Sequence, residues 1–142
     1  MDQSTQQLKL KFDTSNGGHS NLISSLAKLP NGYLASGSID STIKIWDIEN
    51  GKLKFTLNEW NGGHHDNVET LVVLENGYLA SGSFDRTIKI WDLEDENQKL
   101  KFTFNESNGG HSFFVIKLVS LGEGYLASCS FDNTVKIWDV QN

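Results

Sequence analysis

Apolar residues alternate with polar ones in short runs along most of the chain, a period of two that sends successive side chains to opposite faces of a strand. The runs favour Val, Ile, Thr and aromatic residues and are separated by Gly, Asn and Asp, which make turns. Helical spacing is not sustained anywhere. Leu8-Lys9-Leu10-Lys11-Phe12 alternates strictly, as do Leu53 to Leu57 and Leu100 to Phe104. Lysines on one face of such a run predict an outer strand whose charge discourages pairing with other molecules. The most apolar runs, Leu22 to Leu29, Val68 to Leu74 and Val115 to Leu121, predict a second strand. Asn31-Gly32, Asn76-Gly77 and Glu123-Gly124 then supply the positive φ of a tight hairpin and lead into Tyr-Leu-Ala-Ser. A turn at Asp40, Asp85 or Asp132 starts a last strand, Thr-Ile-Lys-Ile-Trp, with Val135 for the first isoleucine in its third occurrence.

The same landmarks return three times. Asn16-Gly17-Gly18-His19 recurs at Asn61 to His64 and at Asn108 to His111, offsets of 45 and 47 residues. Trp46-Asp47 returns as Trp91-Asp92 and Trp138-Asp139. The two extra residues fall within Glu94 to Gln98, where a solvent loop absorbs an insertion. The chain divides into repeats at 7–51, 52–98 and 99–142 within one segment, 1–142. With Gly-His at the start of each copy, Leu-Ala-Ser and Asp inside it and Trp-Asp at its end, the chain resembles the WD-repeat family from Gln7 to Val140. The resemblance implies an all-β fold of β-propeller blades, here three four-stranded antiparallel repeats set radially around a channel. Because the third copy stops after its Val135 to Asp139 strand, the last blade is expected to be completed by an N-terminal strand of another copy, unless the chain is part of a larger propeller. Two copies would give six blades and three would give nine. The shallow angle between blades in the family's seven- and eight-bladed rings puts a homo-trimer ahead of a homo-dimer.

Composition narrows the chemistry. A net charge of -6 argues against a nucleic-acid partner, and the six outer-strand lysines lie around a rim among a slight excess of acids and imply no continuous basic groove. No apolar run reaches the roughly 18 residues of a membrane span, and Met1 to Gln7 show no leader pattern. A cytoplasmic protein, or a nuclear one, is expected. Cys129 is alone, so neither an internal disulfide nor a paired-thiolate zinc site is available. It replaces Gly37 and Gly82 and reads as a small buried thiol with no activating basic neighbour.

Each copy also holds a tetrad: His19, Ser36, Asp40 and Trp46; His64, Ser81, Asp85 and Trp91; His111, Ser128, Asp132 and Trp138. Ser, His and Asp can make a hydrolase, but a nucleophile needs exposure beside oxyanion donors, and one site would suffice. Recurrence in every copy points to a network that satisfies buried polar groups, as the resemblance also implies. Ser38, Ser83 and Ser130 are alternative hydroxyl members. His64-His65-Asp66 offers an incomplete metal shell, since His64 already belongs to a tetrad. No metal or cofactor is expected.

If the copies fold as the family does, the loop before the second strand and the Asp turn reach one face of the disc. The variable residues there are Ile39, Phe84, Phe131, Trp60, Arg86, Asn21, His65, Phe113 and Phe114. Aromatics with one arginine suit recognition of a protein or peptide, although the same phenylalanines could pack between blades. On the binding reading, serine at Phe84 and Phe131 should cost partner capture and little stability. The function expected is a non-enzymatic protein-interaction scaffold. A duplicated or engineered ring with no ligand, and a hydrolase, are the alternatives.

Overall fold

The computed structural model describes residues 6–141; Met1 to Thr5, which belong to the stretch read above for a leader, and Asn142 lie outside the described residues. The strands are β1 (Ile23–Lys28), β2 (Tyr33–Ser38), β3 (Ile43–Asp47), β4 (Lys52–Leu57), β5 (Val68–Val73), β6 (Leu79–Ser83), β7 (Ile88–Trp91), β8 (Leu100–Phe104), β9 (Val115–Gly122), β10 (Tyr125–Ser130) and β11 (Val135–Asp139). Short turns allow only antiparallel neighbours. Two sheets have four strands, β1-β2-β3-β4 and β5-β6-β7-β8, and the third has three, β9-β10-β11. Each complete sheet takes its outer strand from the repeat that follows, because β4 opens the second repeat and β8 the third.

The hairpin signals act in two ways. Asn31 and Gly32 both take positive φ, 67° and 81°, and Glu123 and Gly124 do the same at 54° and 83°. At Asn76-Gly77 only the glycine does, at 89°; Asn76 Oδ1 instead accepts from the Tyr78 amide at 3.0 Å. The asparagine there closes the turn with its side chain.

Two apolar cores lie between sheets. Leu29, Ile43, Ile45 and Leu57 of the first sheet pack on Val68, Leu71 and Trp91 of the second. Leu74, Ile88 and Ile90 of the second pack on Val115, Leu118 and Leu126 of the third. The alternation of each strand explains this, since one face of the second sheet meets the first blade and its other face meets the third. Gly37 and Gly82 permit the close approach. A Cβ at Gly37 would lie 2.8 Å from Val68 Cγ1, and one at Gly82 would lie 2.7 Å from Val115 Cγ1.

Residues 8–12 differ from expectation. They form no strand, because a strand needs a ladder partner and no described strand precedes them. The segment is nevertheless seated. Phe12 stacks on Trp46 at 4.1 Å between ring centroids, as Phe104 of β8 stacks on Trp138 of the next blade at 4.3 Å. It occupies the position of an outer strand from a blade before the first.

Candidate functional site

The Asn-Gly-Gly-His motif is a turn that delivers a histidine. Asn16 Oδ1 accepts from the Asp13 amide at 2.7 Å, and the Asp13 carboxylate accepts from the Ser15 amide at 2.9 Å. Gly17 then turns with φ 92°. A Cβ on Gly18 would sit 2.5 Å from the Asp13 carbonyl oxygen, so only glycine fits before His19. Asn58 with Asn61 and Asn105 with Asn108 repeat the arrangement.

Each histidine enters a closed chain. His19 Nδ1 lies 2.9 Å from Asp40 Oδ2 and its Nε2 lies 2.7 Å from Ser36 Oγ, while Trp46 Nε1 donates to the same Oγ at 2.8 Å. The second blade joins His64 to Asp85 at 2.8 Å and to Ser81 at 2.7 Å, with Trp91 donating at 2.9 Å. The third joins His111 to Asp132 at 2.8 Å and to Ser128 at 2.7 Å, with Trp138 donating at 2.9 Å. One proton assignment satisfies every member: indole to serine, serine to Nε2, Nδ1–H to carboxylate. All three serines are buried. Each hydroxyl is held between an imidazole and an indole.

The hydroxyl choice is settled by geometry. Ser38 and Ser83 instead accept from the Asp40 and Asp85 amides at 3.0 Å and donate to the Leu22 and Asp66 carbonyls. Ser130 accepts from the Asp132 amide in the same way. A fifth member escaped the sequence reading. Thr42, Thr87 and Thr134 donate to Oδ1 of their aspartates at 2.6 Å. The signal was present, since Asp-X-Thr recurs in every copy. Burial works against ionisation of Asp40 and Asp85, but the hydroxyl and imidazole contacts outweigh it and hold both carboxyls below the usual range. Burial also pushes His64 below its ordinary value, the Asp85 contact opposing it.

At the end of the blades where the Asp turns lie, four phenylalanines meet. Phe84, from the second blade, stacks on Phe114 of the third at 4.2 Å and 8°. Phe113 lies 4.3 Å from Phe114, and Phe131 lies 6.1 Å from Phe113 and 5.9 Å from Phe114. The Arg86 guanidinium stands 5.8 Å above the Phe113 ring. Arg86 follows the turn aspartate with φ 77°, a left-handed conformation that an arginine adopts at a cost. The phenylalanines divide by exposure. Phe84 and Phe114 are half-buried at the blade boundary, whereas Phe113 is 40% and Phe131 56% exposed.

The WD domain, G-beta repeat family matches residues 10–47, 51–92 and 99–139. The chain belongs to that family. Among solved structures it is similar to the RRP9 WD40 repeats, with 29% identity and a TM-score of 0.76 over 88% of this chain. It is similar to U3-55K at 28% identity and TM-score 0.72 over 87%. The WD40 β-propeller domain of Doa1 gives 29% and 0.72 over 85%. The chain spans 37%, 36% and 38% of those three chains. No curated protein matches the sequence significantly.

The WD repeats do not bring every expected face residue into the aromatic cluster. Trp60 is 87% exposed in the turn Glu59–Asn61. His65 Nδ1 pairs with Glu59 at 3.4 Å, and Asn21 Oδ1 accepts from the Leu22 amide. Ile39 is half-buried and its amide bonds the Leu22 carbonyl at 3.0 Å. Phe84 stacks on Phe114 across the blade boundary, the packing arrangement that the sequence left open beside binding. Cys129 is half-buried. A cleft of about 840 Å³ lies at the other end of the blades, between Tyr33, Phe55 and Tyr78.

Proposed function

We propose that this WD-repeat chain is a non-enzymatic scaffold that binds a peptide or protein segment on its Asp-turn face. The observation that carries the reading is Phe113, exposed beneath the Arg86 guanidinium and braced by the rigid Phe84–Phe114 stack. Exposed aromatic surface next to an arginine is the chemistry of interaction hot spots. It suits an apolar side chain followed by a carboxylate, the first resting on Phe113 and the second meeting Arg86. The saturated serines support a role without catalysis. Further blades, from two or three copies of the chain or from a longer propeller, would complete the platform.

A peptide display selection against the folded chain tests this. Ligands enriched in an apolar residue next to Asp or Glu are expected, and Phe113→Ser should lose them while its melting temperature stays near that of the parent. Ligands that bind Phe113→Ser and the parent equally would place the site elsewhere.

A further inference from the structure

Several exposed apolar residues of the first and third blades are the counterparts of residues buried in the internal cores. Val68 and Leu71 of β5 are 0% and 7% exposed, and Val115 and Leu118 of β9 are 0% and 2%. Their counterparts in β1, Ile23 and Leu26, are 53% and 61% exposed. On the other side, Ile43 and Ile45 of β3 and Ile88 and Ile90 of β7 are each 1% exposed, but their counterparts in β11, Val135 and Ile137, stand at 72% and 57%. The first blade thus presents the forward half of an inter-blade core and the third blade the backward half.

We propose that these two faces join in a second copy of this chain, head to tail. The inference rests on the ring-completing part of the reading above and is independent of the Phe113 site. The internal ladders give the register. Ile43 faces Leu57 and Ile45 faces Phe55; Ile88 faces Phe104 and Ile90 faces Phe102. By the same offsets Val135 of one copy faces Phe12 of the next and Ile137 faces Leu10. Residues 8–12 already sit where that strand belongs, with Phe12 on Trp46. Phe131, 56% exposed, occupies the position from which Phe84 stacks on Phe114, and its opposite number in the next copy is Leu22, 72% exposed. Such a contact is heterologous and closes only as a ring.

Two residues, one on β10 and one on β9, loosen the junction. Cys129 stands where Gly37 and Gly82 admit Val68 and Val115 at distances that leave no room for a Cβ. Lys117 stands where Ser25 and Thr70 accept from the Leu71 and Leu118 amides at 3.1 and 3.2 Å. A lysine cannot accept a hydrogen bond. The copy-to-copy junction is therefore weaker than the internal ones and depends on concentration.

Sedimentation of the chain over a range of concentrations tests this, with circular dichroism confirming that each variant is folded. The parent chain should pass from one copy to a discrete closed assembly, and Lys117→Thr with Cys129→Gly should lower the midpoint about tenfold or more. Ile23→Asp and Val135→Asp should each block ring closure, while an equimolar mixture of the two forms a one-to-one pair through its single intact junction. A parent and a Lys117→Thr/Cys129→Gly variant that both remain single copies throughout would overturn the proposal, as would assembly that ignores Ile23→Asp and Val135→Asp. Peptide capture by the Phe113 face, read on the Ile23→Asp variant, reports separately on the scaffold reading.

Discussion

At the scale of single residues, the tetrad serine carries two partners at once. Removing the Ser81 hydroxyl leaves His64 Nε2 and Trp91 Nε1 buried and unpaired, and each such group costs about 1–3 kcal/mol. Ser81→Ala should therefore lower the urea-unfolding free energy by about 3 kcal/mol. Ser128→Ala should cost less, since Trp138 is only half-buried and water reaches it; equal losses at the two sites would show that burial is not the determining factor. Arg86 predicts the opposite balance. Its φ of 77° is shared by Asn133 at 71°, and asparagine tolerates this region better than arginine. Arg86→Asn should raise stability by up to about 1 kcal/mol and weaken ligand binding at Phe113, a split that thermal melts and peptide titration read separately. The tetrads were legible in the sequence because the same four residues recur at fixed spacing. Which serine joins them was not, because Ser36 and Ser38 lie two apart on one strand and face the same side, and only their distance along it from His19 and Trp46 separates them.

Among the elements, the blade boundaries depend on glycine. Gly82→Ala forces a Cβ against Val115 and Thr70, both branched at Cβ and unable to swing aside. Overpacking of this kind costs about 1–3 kcal/mol, so the variant should melt earlier and lose the second core first. Unchanged hydrogen exchange in β9 would show that the sheets separate without penalty. The strands were readable because alternation survives in every copy, with one exception. Residues 8–12 have the pattern of their counterparts in β4 and β8 but no ladder, since a strand is a property of a pair. The division of the phenylalanines was hidden for a similar reason. Phe84 and Phe131 occupy the same place in their repeats, yet one has a following blade to stack on.

For the whole molecule, the tetrad aspartates and His64 act in one direction. The carboxyls of Asp40, Asp85 and Asp132 are held below their ordinary 3.8, so the folded state binds fewer protons than the unfolded and their stabilisation is lost as pH falls below that value. His64 is held below its ordinary 6.5, so the unfolded chain takes up a proton first and stability begins to fall beneath that pH. Urea midpoints should be highest above about pH 6.5, decline to about pH 4 and drop steeply beyond it. A midpoint that rose between about pH 7 and pH 5 would mean that the buried histidine gains its proton on folding.

The sequence by itself determined the number of blades in the chain, most of their strands and the histidine, aspartate and tryptophan of each hydrogen-bonded tetrad, because these depend on local alternation and on spacings that repeat. Only the tertiary structure decided which copy of a repeated residue is buried. Ile23 and Val68, or Ile45 and Ile137, are alike in their own repeats and opposite in exposure. Burial is decided by the neighbour a face meets, and the first and third blades each have a face that no other blade of the described chain covers.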